Sequence, residues 1–118
     1  MNTKALTMSA ASLILGALAI LGQGEPIGNQ AELRRALPAA ATAADHARIA
    51  AYYHQVAQSY IQKQTEEERI AAQWQKQYES WTKTPNPYRS AKNLAAYYGQ
   101  RAADALVHAR EQDSLAGR

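Results

Sequence analysis

The sequence predicts an all-α protein, an antiparallel helical hairpin preceded by a short N-terminal helix. The first observation is an internal repeat, because residues 49–57 (IAAYYHQVA) return as residues 94–102 (LAAYYGQRA). A repeat at a fixed period indicates one structural unit made twice, with each copy burying the apolar side of the other. The second observation is the abundance of alanine, the best helix former, and the third is a Pro-containing bend between the two copies.

The short N-terminal helix is predicted at about residues 30–37. Asn29 and Glu32 have the spacing of a helix capping box, in which each residue satisfies a backbone amide of the other. Pro38 is expected to end the helix, because proline has no amide hydrogen to donate. Residues 25–42 are therefore interpreted as a loop, this helix and a linker.

The first helix of the hairpin is predicted at about residues 43–82. Thr42 precedes it as a cap, and the chain has no Gly or Pro from there to Thr84. Large apolar and aromatic residues recur at steps of three and four, the spacing of one helix face: Ile49, Tyr53, Val56, Tyr60, Ile70, Trp74, Tyr78 and Trp81.

The second helix of the hairpin is predicted at about residues 88–116, so that the hairpin domain covers residues 43–118. The break before it is residues 82–87 (TKTPNP), where two prolines in three residues force extended backbone. Pro87 suits the first turn of the helix that follows. Gly99, in the middle of that helix, indicates a weak point or the close approach of a neighbouring backbone.

A short connection makes the two helices antiparallel neighbours. If the bend centres on Pro85, the numbers of two residues that face each other across the hairpin sum to about 170. This geometry puts Trp74 opposite Tyr97 or Leu94, and Ile70 opposite Tyr98. Because two helices bury little surface, a second hairpin from another copy could complete a four-helix bundle.

Residues 1–24 are predicted to form a secretory signal peptide, helical while attached. Lys4 gives a positive start, residues 5–21 are mostly apolar, and small residues lead to a cleavage site before Glu25. The alternative is an anchor that stays in the inner membrane. If the signal peptide is cleaved, the chain after Gly24 is predicted to be periplasmic or secreted. If it is retained as an anchor, the same chain faces the periplasm.

Composition narrows the classes of partner. The chain has no Cys, which excludes disulfides and a lipid-modified N-terminus. Its formal charge of +3 comes from interspersed acids and bases, unlike the basic stripe of a nucleic-acid-binding protein. We expect no nucleic acid as partner, and contact with a membrane only through an uncleaved N-terminal segment.

Five aromatic residues are the candidate partner contacts: Tyr52, Tyr53, Tyr97, Tyr98 and Trp74. Tyrosine offers a large area with a polar tip and could bind a protein, a peptide or a sugar. The alternative interpretation is structural, in which these rings fill the space that alanine leaves between the helices.

Catalysis and metal binding have weaker signals. The sequence has no HxxxH, HExxH or Cys pairing and no Glu-x-x-His pattern of the kind that holds two irons, so no cofactor is expected. His54 and His108 are the candidate metal ligands if one binds. Because no Ser-His-Asp grouping or Gly-rich phosphate loop is present, the chain is not predicted to be an enzyme.

Residues 42–116 resemble small exported bacterial Ala-rich helical-hairpin proteins, which carry two Ala-Ala-aromatic helix motifs around a Pro-containing bend. The resemblance implies export and a hairpin, and no catalytic activity. In such proteins His or Cys often stands at the positions held here by Tyr52, Tyr97, Glu67 and Gln112. This departure from the pattern counts against an inherited metal role.

The function predicted first is therefore that of an exported, non-enzymatic helical protein acting in the cell envelope. It would act by self-association or by contact with another envelope protein. The alternative is an envelope protein that binds a metal ion or small ligand through His54, His108 and nearby carboxylates. A further alternative is a periplasmic chaperone-like protein.

Overall fold

The computed structural model of the chain describes residues 24–78 and 80–118. Three α-helices and one 3₁₀ turn make up its regular structure: α1 (Gln30–Ala39), α2 (Ala43–Trp74), the 3₁₀ turn (Gln75–Gln77) and α3 (Pro87–Leu115). The long helices α2 and α3 pack against each other as a hairpin, which confirms the predicted fold class. The predicted signal segment lies outside the described residues except for its last residue, Gly24.

The described chain divides into two compact units. Unit 1 contains the residues up to Tyr52 and the C-terminal segment Ala109–Arg118, and unit 2 contains Tyr53–His108. Each long helix contributes to both units, which are described separately below. In the described ranges, no helix combines the length and the apolar character that crossing a membrane requires.

In unit 1, α1 begins with the predicted capping box. Asn29 Oδ1 accepts a hydrogen bond from the Glu32 amide at 2.9 Å, and Glu32 Oε2 accepts one from the Gly28 amide at 2.8 Å. The helix continues through Pro38 to Ala39, so the prediction that Pro38 would end it at residue 37 is wrong. Because proline has no amide hydrogen to donate to the carbonyl four residues earlier, the helix does end close to it, one residue later.

Unit 1 buries three large apolar side chains, Ile27, Leu33 and Ile49, which are 4%, 7% and 1% exposed. Polar contacts join its segments as well. The Arg48 guanidinium donates to the Glu25 carbonyl at 2.8 Å, and the ring of His46 on α2 lies 2.7 Å from the side-chain oxygen of Gln112 on α3. The first turns of α2 therefore contact both the segment that precedes α1 and the C-terminal part of α3.

The start of α2 is a reciprocal cap. The Asp45 amide donates to Thr42 Oγ1 at 3.1 Å, and the Asp45 carboxylate accepts from the amides of Ala41 and Thr42 at 3.0 and 3.1 Å. These bonds to Ala41 and then Thr42 hold the pKa of Asp45 below its usual value. The negative charge also lies favourably at the N-terminus of the helix.

This cap makes the stability of the protein depend on pH. A lowered folded-state pKa stabilises the fold above the pKa of the unfolded carboxyl, and this contribution disappears as the pH falls through the folded value. We expect Asp45→Asn to lower the melting temperature at neutral pH, with the gap to wild type closing between about pH 5 and about pH 2. Thermal melts of both proteins across this range test the prediction, and a gap that stays constant would contradict it.

Unit 2 packs its two helices through alanines. The residues that it buries most completely are Ala57, Ala71, Ala91, Ala95, Ala102 and Ala105, each at most 6% exposed. Small side chains let two helices approach at the short end of the usual 8–10 Å separation. The large apolar residues Leu94, Tyr97 and Val107 are exposed at 42%, 54% and 49%. The most deeply buried residues of this unit are therefore all alanines, while several of its large apolar residues are exposed.

The facing pairs differ from the predicted ones. Tyr98 stacks with Tyr60, with ring centroids 6.0 Å apart, and His108 stacks with Tyr53 at 5.0 Å. The numbers of these facing residues sum to about 160 instead of the predicted value of about 170. The predicted partner of Tyr98, Ile70, is therefore wrong, because α2 ends earlier than the sequence indicates.

The earlier end of α2 is the main correction to the predicted boundaries. The helix stops at Trp74 instead of about residue 82, whereas the second helix, predicted at 88–116, is observed at Pro87–Leu115. The Trp81 ring lies edge-on to the Trp74 ring at 5.5 Å, and its indole N–H donates to the Pro85 carbonyl at 3.2 Å. Because these contacts fold the chain back, α2 ends without a Gly or Pro at its terminus.

Gly99 lies where a side chain of α2 reaches α3. A Cβ placed on Gly99 would come within 2.8 Å of the side-chain nitrogen of Gln64, which is the mobile end of that side chain. We expect Gly99→Ala to stabilise the fold by up to about 1 kcal/mol, because Ala is the better helix former and Gln64 can move. Chemical denaturation measures the change.

The Gln64→Ala variant supplies the control for this prediction. In that background the Gly99→Ala substitution meets no side-chain amide, so its gain should be at least as large as in the wild type. A loss of stability in both backgrounds would show that the α3 backbone cannot accept the added methyl group.

Candidate protein-contact surface

The five predicted contact residues have different environments. Tyr97 is 54% exposed, whereas Tyr52, Tyr53, Tyr98 and Trp74 are partly buried. The rings of Tyr53 and Tyr98 stack on residues of the facing helix, and the Trp74 ring contacts Trp81 at the bend. Three of the five therefore fill space within the hairpin, while Tyr97 presents its ring at the surface.

Two cations lie over the tyrosines between α2 and α3. The Lys63 ammonium is 5.5 Å from the ring centroid of Tyr60 and 5.7 Å from that of Tyr98. The Arg101 guanidinium is 5.5 Å from the Tyr60 centroid. Cations placed over aromatic faces at these distances are attracted by the ring electrons. The same edge of the hairpin is therefore both aromatic and positively charged.

Arg101 is held in place by this arrangement. Its pKa is raised above the usual value, chiefly by a hydrogen bond with the side chain of Tyr60, and further by the charge interactions with Tyr60, Tyr97 and Asp104. The guanidinium remains charged at any pH that a cell meets. It therefore presents a fixed positive charge beside the exposed Tyr97 ring.

These features continue along α3 as a row of exposed side chains that we call the α3 stripe: Leu94, Tyr97, Arg101, Asp104 and His108. The steps of three, four, three and four residues keep the stripe on one side of the helix. The Asp104 carboxylate accepts a hydrogen bond from the Gln100 amide nitrogen at 3.0 Å. The Tyr97 ring lies edge-on to Tyr98 at 5.5 Å.

The two matching segments, residues 49–57 and 94–102, differ in what they expose. Their central alanines have the same environment, because Ala50 is buried in unit 1 as Ala95 is in unit 2. Their first residues differ, since Ile49 is 1% exposed and Leu94 is 42% exposed. The second copy thus leaves at the surface an apolar position that the first copy buries.

The sequence pattern did not separate the α3 stripe from the packing face. The spacing predicts an inner face through Leu94, either Arg101 or Ala102, and either His108 or Ala109. The structure buries Ala102 and Ala109 and exposes Leu94, Arg101 and His108. Neighbouring positions on a helix differ by about 100°, so a stripe of mixed composition fits either face. The signal that could have separated the two faces is the seven-residue spacing of the alanines at positions 95, 102 and 109, which are all buried.

The two candidate metal ligands are both exposed. His108 stacks on Tyr53, with ring planes 29° apart, and His54 follows Tyr53 in the chain. Within residues 24–78 and 80–118, no group of three or more His, Cys, Asp or Glu is placed to hold a metal ion. Metal binding by His54 and His108 stays a prediction from the sequence.

A shallow cavity of about 420 Å³ lies beside the bend. Two of its lining residues, Lys83 and Arg89, are cations. The remaining lining residues are uncharged: Trp81, Thr82, Thr84, Pro85, Asn86, Ser90 and Asn93. Arg89 is already engaged, because it donates to the Tyr78 hydroxyl at 3.0 Å.

No known protein family, curated protein or solved structure shows significant similarity to the chain. The resemblance to exported Ala-rich hairpin proteins therefore stays a prediction. The structure itself defines the class as an all-α helical hairpin with an alanine interior.

Proposed function

We propose that this chain is an exported, non-enzymatic helical-hairpin protein of the cell envelope that acts by protein–protein contact. The supporting observation is the placement of its apolar residues. The hairpin in unit 2 buries alanines and exposes Leu94, Tyr97 and Val107. Aromatic residues are enriched at protein interfaces, where a partner removes their apolar area from water.

The thin interior gives a physical reason for association. An alanine side chain buries little apolar area, and hydrophobic stabilisation scales at about 25 cal/mol per Å² buried. Small domains are already marginal when their cores contain large residues. Any partner that binds only the folded hairpin stabilises it by mass action. We therefore propose that contact with another protein, or with a second copy, is the working state.

The cellular location in this proposal rests on the N-terminal sequence. A basic start, an apolar run and small residues before Glu25 support export. The absence of Cys is compatible with an envelope protein whose fold is all helical and needs no disulfide. Interspersed charges support a protein partner in preference to nucleic acid.

The proposal is tested on the protein purified from the compartment to which cells export it. Its intact mass reports processing, and sedimentation with thermal melts between about 1 and about 100 µM reports association. We expect either an oligomer with a melting temperature that rises with concentration, or a specific envelope protein recovered by crosslinking in cells. A chain that stays monomeric, melts at the same temperature throughout and crosslinks to nothing would overturn the proposal.

A further inference from the structure

We propose that the α3 stripe binds the same stripe of a second copy in antiparallel orientation, about a two-fold axis that passes between Arg101 and Asp104. This inference rests on the proposed function and names the partner within it. An interface built on a two-fold axis uses one patch on both subunits, so each contact occurs twice. The stripe must therefore be complementary to itself.

The spacing of the stripe satisfies the first condition for such an interface. Alternating steps of three and four residues form the seam along which two helices pack side by side. The stripe belongs to one uninterrupted helix and lies in unit 2, and all five of its residues are exposed. A second helix can therefore lie along it without displacing α2.

The charges satisfy the second condition and select the orientation. With the helices antiparallel about this axis, Arg101 of each copy faces Asp104 of the other and Tyr97 faces His108. Leu94 faces Glu111, one turn beyond the end of the stripe, where the exposed leucine can pack on the methylene groups of the glutamate. A parallel pair in register would instead place Arg101 against Arg101 and Asp104 against Asp104, and like charges facing each other are repulsive. Only the antiparallel arrangement pairs opposite charges at the centre.

The central side chains are already oriented before a partner arrives. Arg101 lies over the Tyr60 ring, and the Asp104 carboxylate accepts a hydrogen bond from Gln100. Tyr97 lies against Tyr98 and so has little freedom to lose. Association therefore immobilises few additional side chains, which reduces the entropic cost of the interface.

The test exchanges the central charges. In Arg101→Asp each copy has two acids at the centre, and in Asp104→Arg each copy has two bases. We expect each variant alone to form the dimer at least about tenfold less tightly than wild type, because like charges now meet twice. An equimolar mixture should form a one-to-one heterodimer, since each acid then faces a base.

Native mass spectrometry resolves the species, because the two variants differ in mass. Circular dichroism confirms that each variant keeps its helices, as expected for substitutions at exposed positions. The matched control is Lys92→Asp, which reverses a charge at an exposed position on the opposite side of α3 and should leave the dimer unchanged.

The outcomes separate this inference from the proposed function. Selective heterodimer formation supports the antiparallel pairing. If wild type self-associates but the mixture gains nothing over the single variants, the copies meet elsewhere or in a shifted register, and this inference is overturned. If wild type stays monomeric yet crosslinks to another envelope protein, the inference fails while the proposed function stands. If neither contact occurs, both fail.

Discussion

Ala102→Leu is expected to destabilise the hairpin by about 1–3 kcal/mol, the usual cost of inserting a larger side chain into a packed interior. Ala102 is 4% exposed in unit 2, where the buried positions of both helices are alanines. The added carbon atoms have no space to fill, so the helices must move apart. That movement weakens the other alanine contacts along the hairpin as well.

The adjacent residue supplies a matched control. Ala103 is exposed on the same helix, and Ala103→Leu adds the same side chain to the surface. We expect it to change the free energy of unfolding by no more than about 0.5 kcal/mol. Urea denaturation of both variants decides the matter, and equal effects of the two leucines would show that the α2–α3 separation is not set by the alanines.

Trp81→Ala is expected to destabilise the fold by about 2 kcal/mol. The estimate combines about 1 kcal/mol for the edge-on contact with Trp74 and about 1 kcal/mol for the indole hydrogen bond to the Pro85 carbonyl. The local structure should also change. Gln75 to Gln77 have good helix propensity, so α2 should extend into this segment once nothing folds the chain back.

Chemical denaturation measures the loss of stability. Backbone chemical shifts or amide hydrogen exchange at the 3₁₀ turn show whether α2 extends. Trp81→Phe is the control, because it keeps an aromatic contact with Trp74 and loses only the hydrogen bond. If α2 still ends at Trp74 in the alanine variant, local sequence ends the helix instead of the Trp81 contacts.

The sequence was sufficient for features that depend on local chemistry. The capping box at Asn29 and Glu32 and the boundaries of α3 follow from backbone donors, acceptors and the restricted angles of proline, and the structure has them as predicted. The end of α2 coincides with a contact between the side chains of Trp74 and Trp81, which are seven residues apart in the chain. No local propensity reports such a contact, so the predicted helix runs too far.

The same distinction applies to the candidate surface. Tyr97 could be chosen from the sequence because it belongs to a Tyr-Tyr pair that occurs twice in the chain. Asp104 could not be chosen from the sequence, because a single acidic residue on a helix does not indicate a contact surface until the positions of its neighbours are known. The α2 boundary error also displaced the predicted pairing of the helices.

The contact between Gln64 and Gly99 has a consequence for how the hairpin avoids misalignment. On α2, the buried alanines at positions 50, 57 and 71 are separated by seven residues or a multiple of seven. If the helices slid past each other by two turns, each alanine contact with α3 would be replaced by a similar one. Position 64 interrupts this series with a long amide side chain that lies against Gly99. After such a slide it would meet Lys92 or Leu106, so this one mismatch of size distinguishes the native alignment from its nearest competitors.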